Sequence, residues 1–159
     1  MDYISRYASP LGAMTMASDG VALVGLWFDG QKHYASTVAD DALESRELPI
    51  FVDTRLWLDS YFAGHRPVDS PHLALRGSDF RRGVWQWLRD IPYGTTVSYG
   101  LIAQALNCRS AQAVGAAVGH NPISLIIPCH RVVAVNGIDG YAAGVNVKRA
   151  LLDMEGCRL

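Results

Sequence analysis

The sequence predicts two domains within 159 residues, a small α/β unit over 1–75 and a mainly α-helical one over 76–159 that carries a helix-turn-helix. Three observations predict it. Two apolar runs are split by Ser18-Asp19-Gly20, which is a hairpin signal. A stretch at 64–77, punctuated by Gly64, Pro67, Ser70, Pro71 and Gly77, has the composition of a linker. Beyond it Ser78, Ser98 and Ser110 each stand where a helix would begin, as N-caps do.

In chain order, Pro10-Leu11-Gly12 opens the first apolar run, and the second ends at Trp27-Phe28. Between 51 and 62, Phe51, Leu56, Leu58, Tyr61 and Phe62 fall near helical spacing, and Gly64 follows as a stop, so an amphipathic helix is expected there. Ser78 is expected to cap a helix over 79–89 with Phe80, Val84, Trp85 and Leu88 on one face. Ile91-Pro92-Tyr93-Gly94 ends it. Ser98 then caps 99–106, Asn107 stops that helix, and Ser110 caps 111–119. Two short helices joined by about four residues make a helix-turn-helix.

The second of those helices is almost without bulk: Ala111, Ala113, Gly115, Ala116, Ala117 and Gly119 leave Gln112 as its long polar side chain. Such a helix either packs tightly in a core or approaches another surface closely. If that surface is DNA, long side chains reading the major groove are missing, and the smooth face suits the minor groove, where contact is mostly with sugar and phosphate. Charge favours a nucleic-acid surface on the second half only. Residues 1–75 hold five Lys and Arg against ten Asp and Glu, a net of −5, whereas 76–159 hold nine against five, a net of +4. No apolar run is long enough for a membrane helix. The three cysteines, Cys108, Cys129 and Cys157, are odd in number, and Met1-Asp2-Tyr3-Ile4-Ser5-Arg6 has no basic-then-apolar leader pattern. Reduced thiols and a cytoplasmic location are expected. No Cys or His spacing suits a structural zinc site, so no metal is expected.

Pro128-Cys129-His130-Arg131 is the stretch that points to chemistry. A lone cysteine among aliphatic residues is ordinarily a small buried hydrophobe. Here an imidazole and a guanidinium follow it directly, an electropositive setting expected to favour thiolate over thiol. Pro128 disfavours helix at Ile127, so 125–127 is expected to be a short buried strand delivering Cys129 to a turn. His130 is the candidate base, acting through a water because adjacent side chains need not face one another.

The block Ile127-Pro128-Cys129-His130-Arg131-Val132-Val133 resembles the active-site signature of the O6-alkylguanine-DNA alkyltransferases. The resemblance extends through Ser9-Pro10-Leu11-Gly12, Gly77-Ser78-Asp79-Phe80, Ile91-Pro92-Tyr93-Gly94-Thr95-Thr96-Val97-Ser98-Tyr99 and Gly140-Tyr141-Ala142-Ala143-Gly144 to a C-terminal helix with Lys148-Arg149-Ala150-Leu151-Leu152. It implies a ribonuclease H-like α/β domain followed by a helical domain with the helix-turn-helix and the reactive cysteine. The implied reaction is single, irreversible transfer of an alkyl group from O6 of guanine, less readily from O4 of thymine, to Cys129. Glu155 would orient His130, Tyr99 would donate a proton to the leaving base, and Asn121 would brace the turn at the cysteine. Arg131 is expected to support local structure. Val118, Val133, Tyr141, Ala142 and Ala143 would line the base pocket. Thr95, Arg109, Ser110, Ala111, Gln112 and Ala113 would meet double-stranded DNA through its minor groove. The resemblance implies no cofactor, and a monomer in solution is expected.

The chain also departs from that family's pattern. Gln112 stands where an arginine is usual, Ala143 where a glycine is, and Met154 where a histidine precedes Glu155. The loop from Asn136-Gly137 to Gly140-Tyr141 is one residue short and carries Asp139. Two rival functions are a lesion sensor that binds without transfer and a thiol-responsive DNA-binding regulator. Cys129 argues against the first, since such sensors lack a reactive cysteine.

Overall fold

The computed structural model describes residues 1–135, 137–138 and 140–157, which divide into two compact units. The first comprises Met1–Arg76 together with Pro122–Ser124, and the second comprises Gly77–Asn121 and Leu125–Leu159.

In the first unit the Asp19-Gly20 turn joins β2 (Gly12–Ser18) to β3 (Leu23–Phe28) in an antiparallel pair, as its residues predict. β1 (Tyr3–Ser9) pairs with β2, and β4 (Leu43–Glu44) lies parallel to β1, giving the order β3-β2-β1-β4. All six residues of β3 are buried although it ends that order. Its outer edge is covered by two short pieces of chain. His72 and Ala74 bond to Leu23, at 2.8 and 2.9 Å, and Pro122 and Ser124 bond to Leu26, at 2.8 and 2.9 Å. The edge donors and acceptors that would invite another strand are thus satisfied. Gly25 is needed within β3 because the Trp27 ring lies against it, where an added Cβ would stand 1.9 Å from the indole.

α1 (Pro49–Phe62) begins two residues earlier than its apolar pattern suggests, because proline is favoured at a first helical position. Gly64, at φ +88°, ends it. Its buried stripe is Ile50, Phe51, Thr54, Leu58 and Tyr61. Leu56, expected on that stripe, is exposed, since two residues from Leu58 it points to the opposite side of the helix. The 64–77 segment has no helix, but its end is anchored: Arg76 pairs with buried Asp2 at 2.7 Å.

The second unit is helical. α2 (Asp79–Leu88), α3 (Tyr99–Ala105) and α4 (Ala111–Gly119) start after Ser78, Ser98 and Ser110, whose hydroxyls accept from the backbone N–H three residues on, at 3.2, 3.1 and 3.0 Å. Asn107, at φ +53°, breaks the chain between α3 and α4 as expected. Val84, Trp85 and Leu88 are buried, whereas Phe80 in the first turn of α2 is exposed, against expectation. Trp85 Nε1 donates to the Ala117 carbonyl at 2.8 Å, which holds α2 to α4. β5 (Val97–Ser98) runs directly into α3 and pairs in parallel with β6 (Val132–Val133), and α5 (Val145–Met154) closes the unit. The residues after Cys129-His130-Arg131 are therefore tied to the strand that starts the helix-turn-helix. No helix among the described residues is long and apolar enough to cross a membrane.

Candidate active site

The approach to Cys129 is not the expected strand. Residues 125–126 form a turn in which Leu125, at φ +72°, is left-handed, a conformation unfavourable for a bulky side chain by about 1–3 kcal/mol. Burial of Leu125 and neighbouring hydrogen bonds hold it there. Asn121 Nδ2 donates to the Ile127 carbonyl at 2.7 Å, and the same carbonyl accepts from the Cys129 N–H at 2.8 Å. Cys129–Arg131 is a single 3-10 turn, closed by Arg131 N–H to the Pro128 carbonyl at 3.0 Å. The apolar run is buried as predicted, but side-chain bonding rather than strand pairing shapes it.

Cys129 is 7% exposed. Burial pushes its thiol above the usual range, which overturns the expectation of a ready thiolate. The Asn121 side chain, the charge of Lys148, the backbone N–H of Cys129 and the Tyr141 hydroxyl act in the opposite direction without cancelling the effect of burial. Arg131, on which that expectation partly rested, is turned to a carboxylate instead. The thiol form is therefore the resting state near neutral pH, and a base is required.

The candidate base is adjacent in sequence. His130 has no exposed surface, and its Nε2 lies 2.6 Å from Glu155 Oε2. A carboxylate only accepts, so in the neutral ring Nε2 carries the hydrogen and Nδ1 the lone pair. Burial lowers the proton affinity of His130, Glu155 opposes that shift, and Arg131 and Lys148 add to it. Glu155 follows the last residue of α5, and its other oxygen accepts from Arg131 Nε at 2.7 Å and from the Gly94 N–H at 3.1 Å.

Lys148 was missed by the sequence reading. It is 1% exposed on α5, with Nζ donating to the Gly140 carbonyl at 3.2 Å. The signal was its spacing of three and four residues from Leu151 and Leu152, which places a lysine on the buried stripe.

The structure brings Asn121, Cys129, His130, Tyr141 and Glu155 into this cluster. Tyr99 is half-buried and opens α3, and a Cβ at Gly115 of α4 would meet its ring at 3.9 Å. Val133 packs with Leu152 and Cys157, and Val118 is on the buried side of α4. Ala142 and Ala143 are half-buried in the turn before α5. Thr95, Arg109, Ser110, Ala111 and Gln112 are exposed, and Ala113 is half-buried. Asn136 and Asp139, on which the short-loop expectation rests, lie outside the described residues. No group of His, Cys, Asp and Glu among the described residues could hold a metal ion.

Comparison with known proteins gives one answer for both units. Residues 3–75 match the family model described as the 6-O-methylguanine DNA methyltransferase ribonuclease-like domain, and residues 79–157 match its DNA-binding domain. A methylated-DNA–protein-cysteine methyltransferase of Methanosarcina acetivorans is 39% identical over 157 residues, covering 97% of this chain and 98% of its own. The crystal structure of Mycobacterium tuberculosis O6-methylguanine methyltransferase superposes with a TM-score of 0.87 at 40% identity, covering 98% of this chain and 93% of that one. The M. tuberculosis protein in complex with DNA superposes at 0.86, also at 40% identity, over 96% and 92% of the two chains.

Proposed function

The chain belongs to the 6-O-methylguanine DNA methyltransferase family, and we propose from the cluster around Cys129 how it performs that family's reaction. It repairs DNA directly, moving the alkyl group of an O6-alkylguanine onto its own cysteine, once per molecule. The observation that carries the mechanism is the buried Cys129 thiol beside a fully enclosed His130–Glu155 pair.

The lesion lies inside the base stack, so the nucleotide rotates out of double-stranded DNA at a cost of about a few kcal/mol. The exposed small residues of α4 enter the minor groove, with Thr95, Arg109 and Ser110 on the backbone and Gln112 at the vacated stack. His130 takes the Cys129 proton through a water, and Glu155 stabilises the resulting imidazolium. The sulfur displaces the alkyl carbon: the S–C bond forms as the C–O6 bond breaks, and the electron pair goes to the guanine. Tyr99 donates to the leaving base, while Val118, Val133, Tyr141, Ala142 and Ala143 enclose it. The thioether has no hydrolytic exit.

Cys129→Ser separates binding from chemistry. It should retain affinity for duplex DNA, because the phosphate contacts are carried by the helix-turn-helix, and should lose transfer from O6-methylguanine entirely. Loss of binding along with transfer would remove the helix-turn-helix as the independent DNA surface.

A further inference from the structure

We propose that Arg131 is a positioning residue that sets the proton affinity of His130 through the carboxylate the two side chains share. The inference rests on the reading of His130 as the base. Glu155 divides its oxygens: Oε2 faces His130 Nε2 at 2.6 Å, while Oε1 accepts from Arg131 Nε at 2.7 Å and from the Gly94 N–H at 3.1 Å. The His130 and Glu155 side chains are completely enclosed, and that of Arg131 is 10% exposed. The guanidinium is itself fixed. Its Nη1 donates to the Ile91 carbonyl at 2.7 Å, and its central carbon lies 5.6 Å from the centre of the Tyr93 ring. The Tyr93 hydroxyl in turn donates to the Met154 carbonyl at 3.4 Å, one residue before Glu155.

Charge counting gives the consequence. Without the arginine, a proton added to the His130–Glu155 pair would neutralise a buried negative charge, and the enclosed surroundings would make that uptake strong. His130 would then rest as imidazolium, with no lone pair to receive the Cys129 proton. With Arg131 in place the same proton turns a neutral cluster into a cationic one, so uptake weakens and the neutral ring persists. This holds whichever partner of the pair carries the proton. Lys148 of α5 is the other charged group facing His130, and it acts in the same direction. Cys129 is the titratable neighbour on the same turn. Arg131 does this through Glu155, without contact with the reacting atoms.

The test is an NMR titration of the His130 ring in the full chain, paired with single-turnover transfer measured across pH. In the wild type, His130 should take up its proton below the ordinary histidine value of about 6.5. In Arg131→Met and Arg131→Gln the uptake should move up by about one pH unit or more, and the acid limb of the transfer rate should move with it. Arg131→Lys, which keeps the charge, should titrate near the wild type. Arg131→Gln retains a donor for Glu155, so it carries the comparison if Arg131→Met does not fold. A wild-type His130 titrating at or above its ordinary value, or neutral variants that slow transfer equally at every pH without moving the titration, would overturn the inference. A shifted titration without a shifted rate profile would support it and would instead remove His130 from the role of base.

Discussion

Burial opposes Cys129 as a nucleophile, and its neighbours offset part of that opposition. Asn121 has two tasks here: its Nδ2 satisfies the Ile127 carbonyl at 2.7 Å, and its side chain supports the sulfur. Asn121→Ala should therefore leave a buried carbonyl without its side-chain donor, costing about 1–3 kcal/mol of stability, and should also slow transfer. Denaturant unfolding and single-turnover rates read the two effects separately, and a variant with neither would discredit the assigned turn. Cys129, His130 and the apolar approach were legible because they are contiguous. Glu155 was visible only through family resemblance, since no local pattern joins a residue at the end of α5 to one 25 positions earlier. The tightly held proton of the Cys129 thiol was not legible, because neighbours in sequence are not neighbours in the electrostatic field. Arg131 is aimed away from the sulfur, and the cation that acts on it is Lys148.

Helix starts were legible because a serine N-cap is a local device, and the hydroxyls of Ser78, Ser98 and Ser110 all bond as their positions suggested. The pairing of Pro122 and Ser124 with β3 was not, because it joins segments about a hundred residues apart and has no periodic signature. The turn at Leu125 shares that cause. It is set by the Asn121 bond and by burial, neither of which composition announces. α4 carries the most informative departure from the family's pattern. Gln112 is exposed in its first turn, where an arginine could stack in the gap left by an extruded base and be drawn by the potential of the groove. Gln112→Arg should accelerate transfer from duplex DNA while leaving reaction with free O6-benzylguanine nearly unchanged, because the free base needs no extrusion. Equal acceleration on both substrates would place Gln112 outside the gap.

Across the whole molecule the charge is divided, with an acidic first half and a basic second half, and the basic half is the one that matches a DNA-binding domain. The first unit is anchored at both ends of its sequence by Arg76 on Asp2, whose carboxyl is held at about 2 chiefly by the arginine hydrogen bond. Because the folded value lies below the unfolded one, near 4, this pair contributes stability that is complete above about pH 4 and is lost as pH falls through about 2. Asp2→Asn should therefore lower the unfolding midpoint at neutral pH and leave a flatter acid limb; an unchanged acid limb would remove this pair from the cause of acid unfolding. The central claim is that Cys129 receives the alkyl group and keeps it, and intact mass with peptide mapping after incubation with excess O6-methylguanine duplex tests it most directly. One methyl group per protein molecule, located on Cys129 and unchanged on longer incubation, is the predicted result. Continued release of repaired guanine beyond one equivalent, or a methyl group mapped to Cys108 or Cys157, would contradict it.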